Sequence, residues 1–152
     1  MQSTPGTAEM ALPPLFRRDS APPGYTTPPF PSLHMPPQDP KWSLYAVSDI
    51  WRFTLLWTLI FFGLFHLGAA GIALLMQAGK RRSNWKYLWL VPLVYALIAG
   101  IEAVIAGSVV GVIVGASYVA GNFTMSTWIP FVWGWVNVLV LIVSSFTIQG
   151  GL

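Results

Sequence analysis

Three long apolar stretches, separated by short polar segments, follow one another after residue 52. They predict three helices, over about residues 53–77, 88–115 and 128–148. A helix needs about 20 predominantly apolar residues to cross a bilayer, and each stretch supplies that length. The pattern therefore predicts an all-α integral membrane protein, with a three-helix transmembrane bundle in residues 42–152.

The second stretch is the longest, and it has two interpretations. As one helix it would be about 42 Å long, against a hydrocarbon core of about 30 Å, so it would have to tilt, bend or protrude. The alternative divides residues 88–127 at the glycines into two half-helices. Just before the first stretch, residues 42–52 mix aromatic and charged side chains, which predicts a short helix in the headgroup layer.

Residues 1–41 have a different composition, because they contain eleven of the thirteen prolines. Proline removes a backbone donor and biases its predecessor toward extended geometry, so helix and sheet are both disfavoured. We expect a disordered, Pro-rich tail with local polyproline II structure. It lacks the apolar core of a cleavable signal peptide, so the first apolar helix is expected to target the chain.

Composition and charge support the membrane class. Of the 152 residues, 55% are hydrophobic and 9% are charged, and the net charge is +3. Four basic residues cluster between the first two helices, namely Lys80, Arg81, Arg82 and Lys86. Such clusters are retained on the cytosolic side during insertion, so we interpret this one as a topology signal rather than a nucleic-acid site. Three spans then predict a lumenal N-terminus and a cytosolic C-terminus.

A glycosylation sequon, Asn122-Phe123-Thr124, falls in the short connection before the third helix, and this topology makes it lumenal. Short loops keep the asparagine close to the membrane. We therefore expect Asn122 to remain unmodified.

Small side chains recur every fourth residue along the second helix and form one continuous stripe. They are Ala99, Ala103, Gly107, Gly111 and Gly115. Such stripes let helix backbones approach closely in lipid, where the hydrophobic drive between helices is weak. Packing against the first helix, which has small residues such as Gly63, Gly68 and Gly71, is the interpretation that we favour. Self-association with a second copy is the alternative.

Glu102 is the one formal charge between Tyr87 and Leu152. An acidic residue at the bilayer centre costs about 3 kcal/mol on insertion scales, and intramembrane ionisable groups often have a function. His66 is predicted at a similar depth on the first helix and is a candidate hydrogen-bonding partner. Other polar candidates are Tyr95, Ser108 and, on the third helix, Asn137.

The residues predict no catalytic or cofactor site. No nucleophile, base and orienting group are arranged in a recognisable pattern, and no metal-ligand spacing is present. Cysteine is absent, which excludes disulfides and thiolate sites. We therefore expect a protein that is not an enzyme, whose partners are the lipid bilayer and other membrane proteins.

Several short motifs, in this order, resemble the transmembrane protein 170 family. They are Phe65-His66, Ala70-Gly71, Ala73-Leu74-Leu75, Ile105-Ala106-Gly107, Tyr118-Val119-Ala120-Gly121, Ile129-Pro130-Phe131 and the run from Val140 to Phe146. Each motif alone is unspecific, but their order, the basic first loop and the chain length agree. The resemblance covers roughly residues 44–152.

This resemblance implies three spans, a lumenal N-terminus and residence in the endoplasmic reticulum and nuclear envelope. It also implies a role in membrane morphology, through the formation of reticulum sheets and organisation of the envelope, without known catalysis. The chain departs from the family pattern in a longer first loop and second helix, in Glu102, and in lacking a basic residue after Phe146. These departures fit a diverged, fungal-type member.

Two functional hypotheses follow. The first is a multi-pass membrane protein that influences membrane morphology through its helix faces. The second is a small accessory subunit of a larger membrane complex or transporter, in which Glu102 contacts a partner or substrate.

Overall fold

Three helices contain most of the residues that the computed structural model describes, which are 21, 23–35, 37, 39–78 and 88–150. The helices are α1 (Val47–Ala78), α2 (Leu90–Ala120) and α3 (Trp128–Gly150). Each is long and apolar enough to cross a membrane. The predicted all-α fold with three membrane-spanning helices is confirmed. The predicted basic cluster of Lys80, Arg81, Arg82 and Lys86 lies outside the described residues.

Two helices are longer than the apolar pattern predicts. The segment predicted as a separate headgroup helix, residues 42–52, is divided: residues 47–52 form the start of α1, and residues 42–44 belong to a 3₁₀ turn and a short strand. Asp49 lies in the first turn of α1, where the helix dipole favours a carboxylate. α2 is one continuous helix, so the alternative with two half-helices is wrong. It continues five residues beyond the predicted end, to Ala120, and the chain turns at Asn122, whose φ is 55°. α1 and α2 are each more than about 45 Å long and exceed the hydrocarbon layer.

α1 is the central helix, since it packs along α2 and against α3, whereas α2 and α3 touch little. The small-residue stripe of α2 forms the contact with α1, and all five of its residues are buried. A methyl group added at Gly107 would lie 3.1 Å from the Cα of Leu55, and one at Gly111 would lie 3.1 Å from the Cα of Trp51. The small-residue stripe is therefore covered by α1 of the same chain.

The α1 surface that receives this stripe is different from the expected one. Gly63, Gly68 and Gly71 face open space, where an added methyl group would meet nothing within 4 Å. The stripe instead packs on larger residues near the start of α1, including Leu55 and Thr58. Close approach here requires small side chains on α2 alone.

Two clusters of buried side chains lie at different levels of the bundle. Near the start of α1, the buried residues are Leu44, Ile50, Phe53, Val114 and Met125. In the middle of the bundle, they are Phe61, Phe62, Ala99, Ala103 and Val138. Both clusters contain residues of α1 and α2, so the central contact continues through both levels.

A short ribbon closes the end of the bundle where α1 begins. Strand β1 (Ser43–Leu44) pairs antiparallel with β2 (Met125–Ser126), in a register that places Ser43 opposite Ser126. A 3₁₀ turn, Pro40–Trp42, precedes β1, and the carboxylate of Asp39 accepts a hydrogen bond from the Lys41 amide at 2.9 Å. The ribbon ties the entry to α1 to the connection between α2 and α3.

Residues 23–35 lie against the same end of the bundle. The Phe30 ring contacts the rings of Phe53 and Trp57, with centroids 5.6 and 5.1 Å away. Thr127 Oγ1 donates to the Ser32 carbonyl at 2.7 Å, and Trp128 Nε1 donates to the His34 carbonyl at 2.9 Å. We call residues 23–35, the 3₁₀ turn and the ribbon the cap.

The cap differs from the expectation of a disordered tail that extends to residue 41. Proline excludes regular hydrogen-bonded structure, but an extended segment can still bury an aromatic ring and accept hydrogen bonds at its carbonyl oxygens. Tyr25 OH donates to the Ser43 carbonyl at 2.6 Å, and Thr27 Oγ1 donates to Asp49 Oδ2 at 3.0 Å. Burial raises the pKa of Tyr25 to about 12, so its hydroxyl stays protonated as a donor. Residues 1–20 lie outside the described residues.

The packing of the small-residue stripe on α1 predicts that alanine changes stability differently at two glycines of α2. Gly107→Ala should lower the free energy of unfolding by about 1–3 kcal/mol, because the new methyl group meets the α1 backbone. Gly100→Ala, in open space on the same helix, should be neutral or stabilising by up to about 1 kcal/mol. Unfolding in mixed micelles with a denaturing detergent, followed by circular dichroism, measures both. Equal effects at the two positions would contradict the packing.

The cap predicts that Phe30→Ala destabilises the bundle. Replacing a fully buried phenylalanine by alanine lowers the free energy of unfolding by about 3–5 kcal/mol. Because Phe30 is only half-buried, we expect a loss of about 2 kcal/mol in the same unfolding assay. Phe123→Ala is the control, since Phe123 is 67% exposed and should change stability by no more than about 0.5 kcal/mol. A loss at Phe30 no larger than the loss at Phe123 would show that the cap does not stabilise the bundle.

Candidate functional site

Tryptophans mark two levels along α2 that are about one hydrocarbon thickness apart. The first level is that of Trp89, which precedes the helix and is exposed. The second level is that of Gly111, which lies against Trp51 of α1. The helix between these levels is about 33 Å long, close to the roughly 30 Å of a bilayer core. Tryptophan favours both membrane interfaces. Glu102 lies between the two levels and is therefore deep in the membrane layer that they define.

Glu102 of α2 faces His66 of α1. The His66 Nε2 and Glu102 Oε2 atoms are 3.2 Å apart. The side chain of His66 is 17% exposed and that of Glu102 is 40% exposed. Oε2 itself is shielded, and it has no well-aligned hydrogen bond with any described residue, so the contact with Nε2 is close but bent. The two residues nevertheless bring one titratable group of α1 and one of α2 together.

The second ring nitrogen of His66 helps to orient the imidazole. Nδ1 lies 2.9 Å from the Phe62 carbonyl oxygen, which can only accept, so Nδ1 is the donor in this contact. The ring then presents Nε2 to Glu102. Contact between the two polar side chains lowers the cost of placing them in lipid.

Asn137, another predicted partner of Glu102, has a different contact. It is buried, and its Nδ2 donates to Thr58 Oγ1 at 3.0 Å. Thr58 Oγ1 donates to the Thr54 carbonyl, and Thr54 Oγ1 donates to the Ile50 carbonyl, both at 2.8 Å. This ladder joins α3 to α1 through polar groups at the level of Gly107.

Sequence reasoning missed Thr54 and Thr58. Their spacing of four residues on α1 places both hydroxyls on one face, which is the available signal. That signal is weak, because a threonine in a helix commonly satisfies its hydroxyl on the carbonyl four residues earlier and needs no partner helix. Asn137 gave the stronger signal for this contact between α3 and α1, since a buried amide in a membrane span needs hydrogen-bonding partners on a neighbouring helix.

The remaining predicted sites lie apart from the His66–Glu102 pair. Asn122 is exposed in the connection between α2 and α3, and its non-modification stays a prediction. The clefts among the described residues include two of moderate size. One, of about 550 Å³, lies in the cap and is lined by residues such as Tyr25, Asp39 and Trp42. The other, of about 410 Å³, is apolar and lies between Leu59 of α1 and residues around Gly100 of α2.

The titratable groups of the described segments do not form a metal site. Among residues 21, 23–35, 37, 39–78 and 88–150, no three His, Cys, Asp or Glu side chains are close enough together to hold a metal ion. The described pair brings one imidazole and one carboxyl group into polar contact.

Comparison with known proteins adds two findings. The family model described as "Transmembrane protein 170A/B-like" matches residues 43–152, which include all three helices. The chain is also similar to "Uncharacterized protein YPR153W" of Saccharomyces cerevisiae (strain ATCC 204508 / S288c), with 40% identity over 132 residues. That match covers 85% of this chain and 91% of the yeast protein. No solved structure matches.

The close contact of His66 and Glu102 predicts energetic coupling between the two side chains. His66→Leu should lower the free energy of unfolding by about 1–3 kcal/mol, because the Glu102 carboxyl group loses its partner. Combining it with Glu102→Leu should recover part of that loss, since neither residue is then left unpaired. Detergent unfolding of the four chains of this double-mutant cycle measures the coupling, with the exposed Ile101→Leu as the control. Strict additivity of the two changes would show that the two side chains do not stabilise each other.

Proposed function

The chain belongs to the Transmembrane protein 170A/B-like family, and from this premise we propose that it influences membrane morphology in the endoplasmic reticulum and nuclear envelope. The proposed role is a non-enzymatic one, in the formation of reticulum sheets and the organisation of the envelope. The family match over residues 43–152 is the observation that carries it, since the resemblance to that family implies these roles.

The described bundle supports this proposal through its surface. Large apolar side chains cover the outward faces of all three helices, for example Leu97 on α2 and Val140 on α3. The helices are held to one another by the buried stripe and by the Asn137–Thr58 hydrogen bond. A rigid bundle acts on the surrounding lipid through its shape, and the outward helix faces are the working surfaces that we propose.

The proposed orientation follows from charge. The basic residues from Lys80 to Lys86 connect α1 to α2, and positive segments next to membrane helices are retained in the cytosol. The cap and Asn122 lie at the opposite end of the bundle and are lumenal in this proposal. The C-terminus is then cytosolic.

Loss of the chain tests the proposed role. In cells from which it has been deleted, we expect a smaller area of reticulum sheets relative to tubules, measured by fluorescence and electron microscopy. Re-expression should restore the ratio. Glu102→Gln should restore it as well, because a shape-dependent role does not require an ionisable group. An unchanged ratio after deletion would contradict the proposal, and failure of Glu102→Gln alone would favour a proton- or ion-coupled role.

A further inference from the structure

The cleft in the cap lies close to the level of the lipid headgroups. Trp51 of α1 marks one edge of the hydrocarbon layer, and Asp49 precedes it by two residues. The Asp49 carboxylate accepts a hydrogen bond at 3.0 Å from Thr27, which lines the cleft. Two helical residues rise about 3 Å, whereas the headgroup layer on each side of a bilayer is about 5–8 Å thick. One wall of the cleft is therefore within reach of headgroups.

Charged groups of both signs line this cleft, namely the carboxylate of Asp39 and the ammonium of Lys41. Neither side chain has an ion-pair partner within the described part of the chain. Asp39 Oδ1 accepts from the Lys41 amide at 2.9 Å, and Lys41 Nζ lies 5.4 Å from the centroid of the Trp42 ring. A ligand that carries both an anionic and a cationic group would complement the two charges together.

The aromatic rings of the cleft bear on which cation fits. Quaternary ammonium groups are bound by open aromatic faces. The Trp42 ring already contacts Lys41 Nζ and the His34 ring, whose centroid is 3.8 Å away. The Tyr25 ring contacts Tyr45, with centroids 4.9 Å apart. A primary ammonium needs acceptors instead of an aromatic cage, and the carboxylate in the cleft supplies them. The cleft therefore favours a primary over a quaternary ammonium.

We propose that the cap cleft binds the headgroup of a phospholipid that carries a primary ammonium, as phosphatidylethanolamine does. Lys41 pairs with the phosphate and Asp39 with the ammonium, while the acyl chains remain in the bilayer. A lipid whose headgroup is only anionic is disfavoured, because the Asp39 carboxylate repels it. The cleft, of about 550 Å³, has the size of sites for small ligands. This inference does not depend on the membrane-shaping role.

Competition between lipids tests the proposal. The full chain is mixed in detergent micelles with equal amounts of phosphatidylethanolamine, phosphatidylcholine and phosphatidylglycerol that have identical acyl chains, and native mass spectrometry counts the bound molecules. We expect about two- to fivefold more phosphatidylethanolamine than either other lipid, the range for ion pairs that stay open to water. Equal binding of the three lipids would overturn the proposal.

Variants of the chain assign the preference to the cleft. Lys41→Gln removes the partner of the phosphate and should reduce bound phosphatidylethanolamine about two- to fivefold. Asp39→Asn keeps an oxygen that accepts from the Lys41 amide but loses the charge. This variant should bind the ethanolamine and choline lipids equally, and should bind phosphatidylglycerol more than the unaltered chain does.

Arg52→Gln is the matched control, because Arg52 is an exposed cation at the same end of the bundle that does not line the cleft. It should retain the preference for phosphatidylethanolamine. Loss of the preference in Arg52→Gln would show attraction by general positive charge, and persistence of the preference in Asp39→Asn would show that the carboxylate does not select the lipid. Either result would overturn the proposal.

The free headgroup separates a lipid from a soluble ligand. About a tenfold excess of phosphoethanolamine should displace less than half of the bound lipid, because it lacks the acyl chains that remain against apolar surface. Complete displacement would show that the cleft takes a soluble phosphate ester, and would overturn the lipid as its ligand.

Discussion

The close approach of α1 and α2 is the contact on which the other interactions of this bundle depend. Lipid tails are as apolar as leucine, so burial from water does not hold two helices together inside a bilayer. Dispersion and backbone proximity remain, and both require short side chains at the crossing. Gly107 and Gly111 meet this requirement, since a methyl group at either would lie only 3.1 Å from an α1 Cα atom and would push the helices apart slightly.

Two polar contacts follow from this crossing. Thr58 lies against Gly107, and its hydroxyl accepts from Asn137, so α3 is fixed to a point where α1 and α2 already touch. Farther along the same pair of helices, His66 meets Glu102. The two sites differ in burial, because Asn137 of α3 is buried against α1, whereas Glu102 of α2 is left partly open. One site is therefore enclosed within the chain, and the other stays accessible at the surface of the bundle.

The sequence predicts the helices and the stripe well, because both are local patterns of one helix. It does not select the partner of Glu102. Choosing His66 over Tyr95, Ser108 or Asn137 requires the rotation and register of α1 against α2, which composition and spacing leave undetermined. The α1 side of the crossing was also missed, since it uses residues such as Leu55 rather than the glycines near Gly68. One helix with small side chains is enough for close approach.

The cap shows a different limit of sequence reasoning. Proline content excludes helix and sheet in residues 23–35, but it does not exclude tertiary contacts. The family match begins at residue 43, so Phe30 and the carbonyl oxygens of Ser32 and His34 come from outside the matched region. Without them, Thr127 and Trp128 could donate to water at the membrane surface, and little hydrogen-bond energy would be lost. The ring of Phe30 has no such substitute, because its contact with Phe53 and Trp57 removes apolar surface from water. The stabilisation that this segment adds to the bundle therefore comes mainly from one aromatic side chain.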